Sequence, residues 1–366
     1  GNTSLDLHLY KGLDLMLRGG IDFSRDHRTM RQPKSSYSQR YGMYREGNVS
    51  SLQLSTDFLL KYDRKLGAGF DMKLNFGGSI INRMFRETTQ TAEQLKQPGV
   101  YSLANSVERV KPNNYDYERQ TNSLYGLIQI SWRDAVFLDI TGRNDWSSTL
   151  APGNNSYFYP SVSGSVILSD LLHIDTPMVN FLKVRASWAE VGSPILWGIS
   201  YLTYKWKQGS WSTSATRPIQ NLRPKNTTSW EVGLNARLFA NSLSLDFTYY
   251  KSNTKHQTFL VPLSGSAGYE NMYAQTGNVE NKGFELSIGY DKTWRDFAWS
   301  SSLTLSHNKN KVVELMNNYY DPQTDKYYTL KEYEVASMGG ANFIMTEGGT
   351  MGDLYAYGDL WLDENG

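Results

Sequence analysis

The sequence predicts an all-β protein, an antiparallel transmembrane β-barrel, and three observations carry that prediction. The first is alternation. Trp230, Val232, Leu234, Ala236 and Leu238 alternate with Glu231, Gly233, Asn235 and Arg237. After a turn at Ala240-Asn241, the return arm sets Leu243, Leu245, Phe247 and Tyr249 against Ser244, Asp246, Thr248 and Tyr250. One face is apolar and the other carries charges of both signs, at the period of a strand. The second observation is asymmetry: short turns alternate with long polar segments, as in outer-membrane barrels. The third is a set of aromatics where strands meet short turns, Tyr62, Trp132, Phe239 and Trp294, resembling an interfacial girdle.

The same alternation marks the other strands in order. Leu13, Leu15, Leu17, Ile21 and Phe23 line an early strand, and Leu52, Leu54, Phe58 and Leu60 the next. Ala68, Phe70, Met72, Leu74 and Phe76 oppose Asp71, Lys73 and Asn75. Leu124, Ile128, Ile130 and Trp132 are followed by Val136, Leu138 and Ile140; Leu182, Val184, Ala186 and Trp188 oppose Lys183, Arg185 and Ser187. Phe284, Leu286, Ile288 and Tyr290, then Phe297, Trp299, Leu303 and Leu305, complete the series. Short turns are expected near Tyr10-Lys11, Asp63-Arg64, Arg133-Asp134, Ala240-Asn241 and Arg295-Asp296, with a longer connection from Leu168 to Asn180. The long polar segments are 24–47, 82–117, 146–156, 191–226, 255–280 and 309–366. Parity then requires about twelve crossing strands, with Ile199–Trp206 and Gln257–Pro262 as excursions inside loops.

Composition narrows the function. A net charge of +1 gives no basic field for nucleic acid. The absence of cysteine removes disulfides, zinc–thiolate sites and thiol nucleophiles. No apolar run is long enough for a membrane helix. A soluble sandwich also alternates, with its apolar face turned inward. Turning the 68–76 strand the other way in a membrane would put Lys73 in lipid at about 2–4 kcal/mol. An open sheet with two unpaired edges invites aggregation, so residues 1–366 are expected to form part of a larger barrel with long extracellular loops, its plug and closing strands lying outside this chain.

Several stretches are similar to the SusC/RagA-type TonB-dependent outer-membrane transporters. They include Leu138-Asp139-Ile140-Thr141-Gly142-Arg143-Asn144-Asp145-Trp146-Ser147-Ser148, and Lys183 to Gly192 read as KVRASWAEVG. Leu222-Arg223-Pro224 leading to Trp230-Glu231-Val232-Gly233-Leu234 belongs with them, as does Gly277-Asn278-Val279-Glu280-Asn281-Lys282-Gly283-Phe284-Glu285-Leu286. Glu347-Gly348-Gly349, Met351-Gly352 and Tyr355-Ala356-Tyr357-Gly358 resemble the family near the end. The resemblance covers residues from about 120 onward. It implies a plugged, roughly 22-stranded barrel in the outer membrane of a Gram-negative cell, in contact with its lipid. It also implies a plug displaced through TonB–ExbB–ExbD, a SusD-like lipoprotein lid, and cargo of glycan fragments first and peptides second. A passive porin or an adhesin-type barrel remains the alternative, and behind it a soluble carbohydrate-binding β-protein or a phospholipase-like enzyme.

The family motifs are expected to be structural: Gly142 and Gly283 allow close strand approach, and Asn144-Asp145 suits a strand-to-loop turn. Lumenal polar candidates are Asp139, Arg143, Glu231, Arg237 and Glu285, together with Asp71, Lys73, Lys183, Arg185 and Asp246; they pair with a plug or with one another. Loop aromatics Trp197, Tyr201, Tyr204, Trp206, Trp211, Tyr269 and Tyr273 are the candidates for ligand or lid contact, since flat rings stack on sugars; the competing reading is that they pack the loops. No enzyme is expected. The five histidines stand singly, without metal-ligand spacing, no nucleophile elbow appears, and no cofactor or metal is implied.

Overall fold

The computed structural model describes residues 1–356 except 38, 152, 175, 194, 196–197, 201–203, 208–209, 220–221, 265–266, 322–324 and 339–340. Its strands are β1 (Asn2–Tyr10), β2 (Leu13–Lys34), β3 (Tyr41–Gly67), β4 (Phe70–Ala92), β5 (Lys111–Trp132), β6 (Val136–Ser147) and β7 (Ser156–Ile167). A single-turn helix α1 (Leu168–Leu171) leads to β8 (Val179–Ser193). Then come β9 (Tyr204–Lys207), β10 (Ser210–Thr213), β11 (Thr216–Arg217), β12 (Lys225–Leu238), β13 (Leu243–Pro262), β14 (Asn271–Trp294) and β15 (Phe297–Glu314). The chain continues through β16 (Met316–Asp321), β17 (Lys326–Leu330), β18 (Glu332–Met338), β19 (Ala341–Thr346) and β20 (Leu354–Ala356). The long strands belong to one antiparallel sheet. Among the described residues they form the hairpins β1–β2, β3–β4, β5–β6, β7–β8, β12–β13 and β14–β15, as the parity argument requires. Of Ile199–Trp206, the described residues from Tyr204 on belong to β9, which pairs with β10 in a separate two-stranded sheet, and Gln257–Pro262 is the far end of β13.

Two expectations are corrected. The β3–β4 turn lies at Gly67-Ala68-Gly69 rather than at Asp63-Arg64, with φ of 88°, 54° and 81°. Left-handed φ is what tight hairpins require; the polar Asp63-Arg64 pair simply continues the strand past its apolar part. The segments 24–47 and 255–280 are largely strand rather than loop: β2 runs to Lys34 and β13 to Pro262. Beyond the uncovered apolar rows the side chains need not alternate strictly, while the backbone ladder still needs its partners.

By its contacts the chain divides into two compact units, residues 1–62, 76–124 and 145–149, and residues 63–75, 125–144 and 150–366. In the first, Leu5 pairs with Leu17 and Leu17 with Phe58, while Leu7, Leu15 and Leu60 make the next apolar row. These apolar positions are uncovered: Leu5 is 51% exposed and Phe23 66%. A small core of Tyr44, Ala92 and Leu95, with Tyr101 and Leu103 against it, lies among the strand extensions.

The second unit is a ladder β7–β8–β12–β13–β14–β15. Its apolar face is likewise uncovered, with Val232 44% and Leu303 62% exposed. A soluble sandwich would bury that face, because apolar area costs about 25 cal/mol per Å² in water. The uncovered rows are instead what a hydrocarbon solvent accepts. Aromatics mark the short-turn end: Trp132 lies 6.2 Å from Phe70 under the Arg133 guanidinium, and Trp294 stacks on Phe297 at 6.0 Å. Packed cores occur at the other end. Leu150, Tyr157, Ile195, Ile199, Ile219 and Leu222 form one; Phe259, Val261, Met272, Ala274, Val279, Val312, Leu315, Met316 and Met345 form another.

Candidate functional site

The polar face of the second unit is a hydrogen-bonded wall. Strand register decides which side chains meet, because residues paired across strands share a face. Arg185 of β8 pairs with Gly233 of β12, and Asn235 with Asp246 of β13. The Arg185 guanidinium lies over Gly233, where an added Cβ would stand 2.6 Å from its Nε. From there it donates to Asn235 Oδ1, to Asp246 Oδ1 at 3.2 Å and to Thr248 Oγ1 at 2.5 Å, and Asn235 Nδ2 donates to Asp246 Oδ2. Glycine in the Trp230–Leu234 motif thus makes room for a guanidinium that ties three strands. The pairing of Arg185 with Asp246 follows the expectation that lumenal charges satisfy one another. The part of Asn235 and Gly233 was not visible without register, although their alternation with Val232 and Leu234 put them on the right face.

The five lumenal candidates line this wall without converging. Asp139 accepts from Gln129 at 2.7 Å and from Ser163 at 3.3 Å. Arg143 lies over the Tyr125 ring at 5.5 Å, and Arg237 over Phe181 at 5.8 Å. Glu231 and Glu285 are exposed, facing Tyr250 and Thr248 of the strand between them. Gly142 abuts the Phe158 ring, 3.0 Å from an added Cβ. Gly283 is tighter still, at 2.1 Å from the His307 carbonyl oxygen. Gly283 thus sits at a close strand approach, whereas Gly142 makes room for a side-chain ring.

The loop aromatics divide. Trp197 and Tyr201 lie outside the described residues. The β9–β10 hairpin pairs Trp206 with Trp211 and Tyr204 with Thr213. Tyr204 and Trp211 are 61% and 67% exposed. Tyr269 is half-buried in the β13–β14 turn. Tyr273 packs, with Tyr159, against the core of Leu150, Ile219 and Leu222. Sequence reasoning missed a buried ion pair beside these loops: Arg217 of β11 reaches Asp321 of β16 at 2.7 Å, with side chains 11% and 4% exposed. Arg217 also touches Met272 Sδ at 3.0 Å. Residues more than a hundred positions apart give no local signal of such a latch.

Two hollows occur in the first unit. One, of about 780 Å³, opens on the apolar side between Leu5, Leu17, Phe58 and Leu124 over Gly78, and so suits lipid. The other, of about 880 Å³, is polar and lies among the strand extensions, with Arg45, Glu87, Glu93 and Lys111 in its lining.

Against this geometry, the profile of the family described as "TonB dependent receptor-like, beta-barrel" matches residues 1–358. TonB-dependent receptor P3 of Formosa agariphila is 25% identical over 269 residues, covering 70% of this chain and 26% of that protein. TonB-dependent receptor P26 of the same organism is 28% identical, covering 59% and 23%. The chain thus spans about a quarter of the length of these relatives. Among solved structures, the RagAB peptide transporter superposes with a TM-score of 0.77 at 19% identity, over 95% of this chain and 38% of that one. The siderophore receptor PiuA from Acinetobacter baumannii gives 0.56 at 16% identity, over 90% and 48%.

Proposed function

This chain belongs to the TonB-dependent receptor β-barrel family of the outer membrane, and from that premise we propose that it supplies wall and extracellular loops to an energy-coupled nutrient importer of the SusC type. The observation that carries this reading is the family match across residues 1–358. The wall supports it, with its apolar side uncovered and its polar side cross-linked by Arg185, Asn235 and Asp246. In this reading residues 1–366 are part of a barrel domain, and a plug and a TonB-binding segment belong to the parent protein, as the quarter-length match to relatives suggests. A SusD-like lipoprotein is the lid over the loops. The protein moves its cargo without altering it.

Glycan fragments are the preferred cargo. Exposed Trp211 and Tyr204 offer flat faces for sugar rings at the long-loop end. Peptides are the second reading, favoured by the likeness of fold to the RagAB peptide transporter. The experiment is uptake by cells carrying the full-length protein, with labelled oligosaccharides and labelled peptides in parallel. Uptake of one class that stops with a protonophore, and with deletion of TonB, is the expected result. Conductance by the purified protein in a planar bilayer, together with uptake indifferent to TonB, would replace the importer with a passive pore.

A further inference from the structure

The apolar side of β12–β15 can be read row by row, since paired residues share a face. Rising from the short turns, one row is Leu234, Phe247, Leu286 and Leu305, and the next is Val232, Tyr249, Phe284 and His307. Above it come Trp230, Lys251, Lys282 and Lys309, then Thr228, Asn253, Glu280 and Lys311. Hydrocarbon gives way to ammonium in one step of two residues, about 6.8 Å along the strand. Lysines on three successive strands stand directly beside one another, an arrangement that destabilises a sheet unless a counter-charge is supplied.

The chain supplies one in part. Glu280 Oε2 lies 2.8 Å from Lys251 Nζ, and Oε1 lies 3.5 Å from Lys282 Nζ. Lys309 and Lys311 are exposed and have no ion-pair partner among the described residues. Two other carboxylates lie nearby: Glu314 one row higher, in the row of Lys255, and Glu190 across Thr228, where Asn226 donates to it. Within the two rows on β12–β15, four lysines face Glu280 alone, and Glu190 extends the second row onto β8.

The patch begins where the apolar belt ends, on the side of the long loops. In a barrel with short periplasmic turns, that is the headgroup level of the outer leaflet. We propose that Lys251, Lys282, Lys309 and Lys311 bind the phosphate groups of an anionic outer-leaflet glycolipid, whose acyl chains lie on Phe284, Leu286 and Leu305 below. Ammonium groups fit phosphate as point charges. Continuity with the lipid-facing belt selects a lipid as the source of that phosphate. The proposal rests on outer-membrane placement and on nothing about cargo.

The test is native mass spectrometry of the full-length protein in detergent, titrated with bis-phosphorylated lipid A and with its dephosphorylated form. Lys251→Gln, Lys282→Gln, Lys309→Gln and Lys311→Gln combined are expected to weaken lipid A binding roughly tenfold or more. The dephosphorylated lipid is expected to bind the wild type as weakly as lipid A binds the variant. Glu280→Gln, which removes the competing carboxylate, is expected to tighten lipid A binding; a loss of fold would loosen it. Equal retention of lipid A by wild type and the quadruple variant overturns the proposal. So does displacement of lipid A by equimolar inorganic phosphate, which would make this a phosphate site rather than a lipid one.

Discussion

The β13–β14 hairpin shows the same apolar alternation in two environments. In its lower part, Leu243, Leu245, Phe247 and Tyr249 of β13 pair with Tyr290, Ile288, Leu286 and Phe284 and stay partly exposed. In its upper part, Phe259 and Val261, of the same odd-numbered series, are buried with Met272 and Ala274. There Leu315, Met316 and Met345 cover them, and Tyr333 meets the Phe259 ring edge-on at 5.1 Å. Between the two parts the ladder skips from Lys255↔Asn278 to Gln257↔Thr276. The skipped residues, His256 and Gly277, both have left-handed φ, 58° and 86°. Below this break lipid completes the apolar face, and above it the chain does so itself. Alternation therefore identifies a strand with one apolar side without saying what will cover that side.

If the upper part is a self-contained core, its buried ion pair is the place to break it. Asp321→Ala leaves the Arg217 guanidinium uncompensated among apolar neighbours, at an expected cost of about 3–5 kcal/mol. Hydrogen exchange should then rise in β16–β19 while β12 and the lower half of β13 stay protected. Replacing both partners, Arg217→Met with Asp321→Leu, should recover most of the protection. Equal loss in both halves would show that one cooperative unit spans the break.

The lower part is tested by its two faces. Leu286→Arg puts a charge at mid-belt and should cost about 2–4 kcal/mol in lipid, read by urea titration of protein in vesicles. Ser287→Arg, one residue along and paired with Asp246, should be tolerated. Similar penalties at both positions would remove the assignment of lipid to one side. A smaller effect is expected at Gly283. Its added Cβ would meet the His307 carbonyl at 2.1 Å and the Tyr250 hydroxyl at 2.8 Å. Gly283→Ala should cost about 1–3 kcal/mol by prying β14 from β15. Gly126→Ala, whose added Cβ would stand 3.7 Å from the Asn75 carbonyl oxygen, is the neutral control.

Much of the lower part was legible in the sequence because one residue in two must be apolar there, and the rule repeats in every strand. The hairpins follow from it, and the motif around Gly283 marks a close strand approach. The polar residues obey no such rule. Asp63-Arg64 looked like a turn because the sequence turned polar, yet the chain stayed paired until Gly67. Arg185 and Asp246 were placed on the polar face, but their contact depends on β12 lying between them. The Arg217–Asp321 pair, and the lysine row of Lys251, Lys282 and Lys309, depend on register across distant strands. The loop aromatics were legible as a composition only: Tyr273 went into a core and Trp211 did not.

The break itself should be sensitive to pH, and this is the mildest way to sharpen the comparison. Burial lowers the His256 pKa from its ordinary 6.5, and the charges of Arg223 and Lys255 lower it further. The unfolded segment therefore takes up a proton before the folded one as the pH falls. Its stability is complete above about pH 6.5 and declines below that, until the folded imidazole is itself protonated. Amides in Gln257–Pro262 and Asn271–Thr276 should lose protection between pH 7 and 5.5, after correction for intrinsic exchange. Those of Leu243–Tyr250 should not. His256→Asn keeps a residue that tolerates left-handed φ and removes the titration, so it should flatten the profile without moving its high-pH limit. A slope that survives in His256→Asn would assign the pH response to another group and leave the break a purely geometric joint.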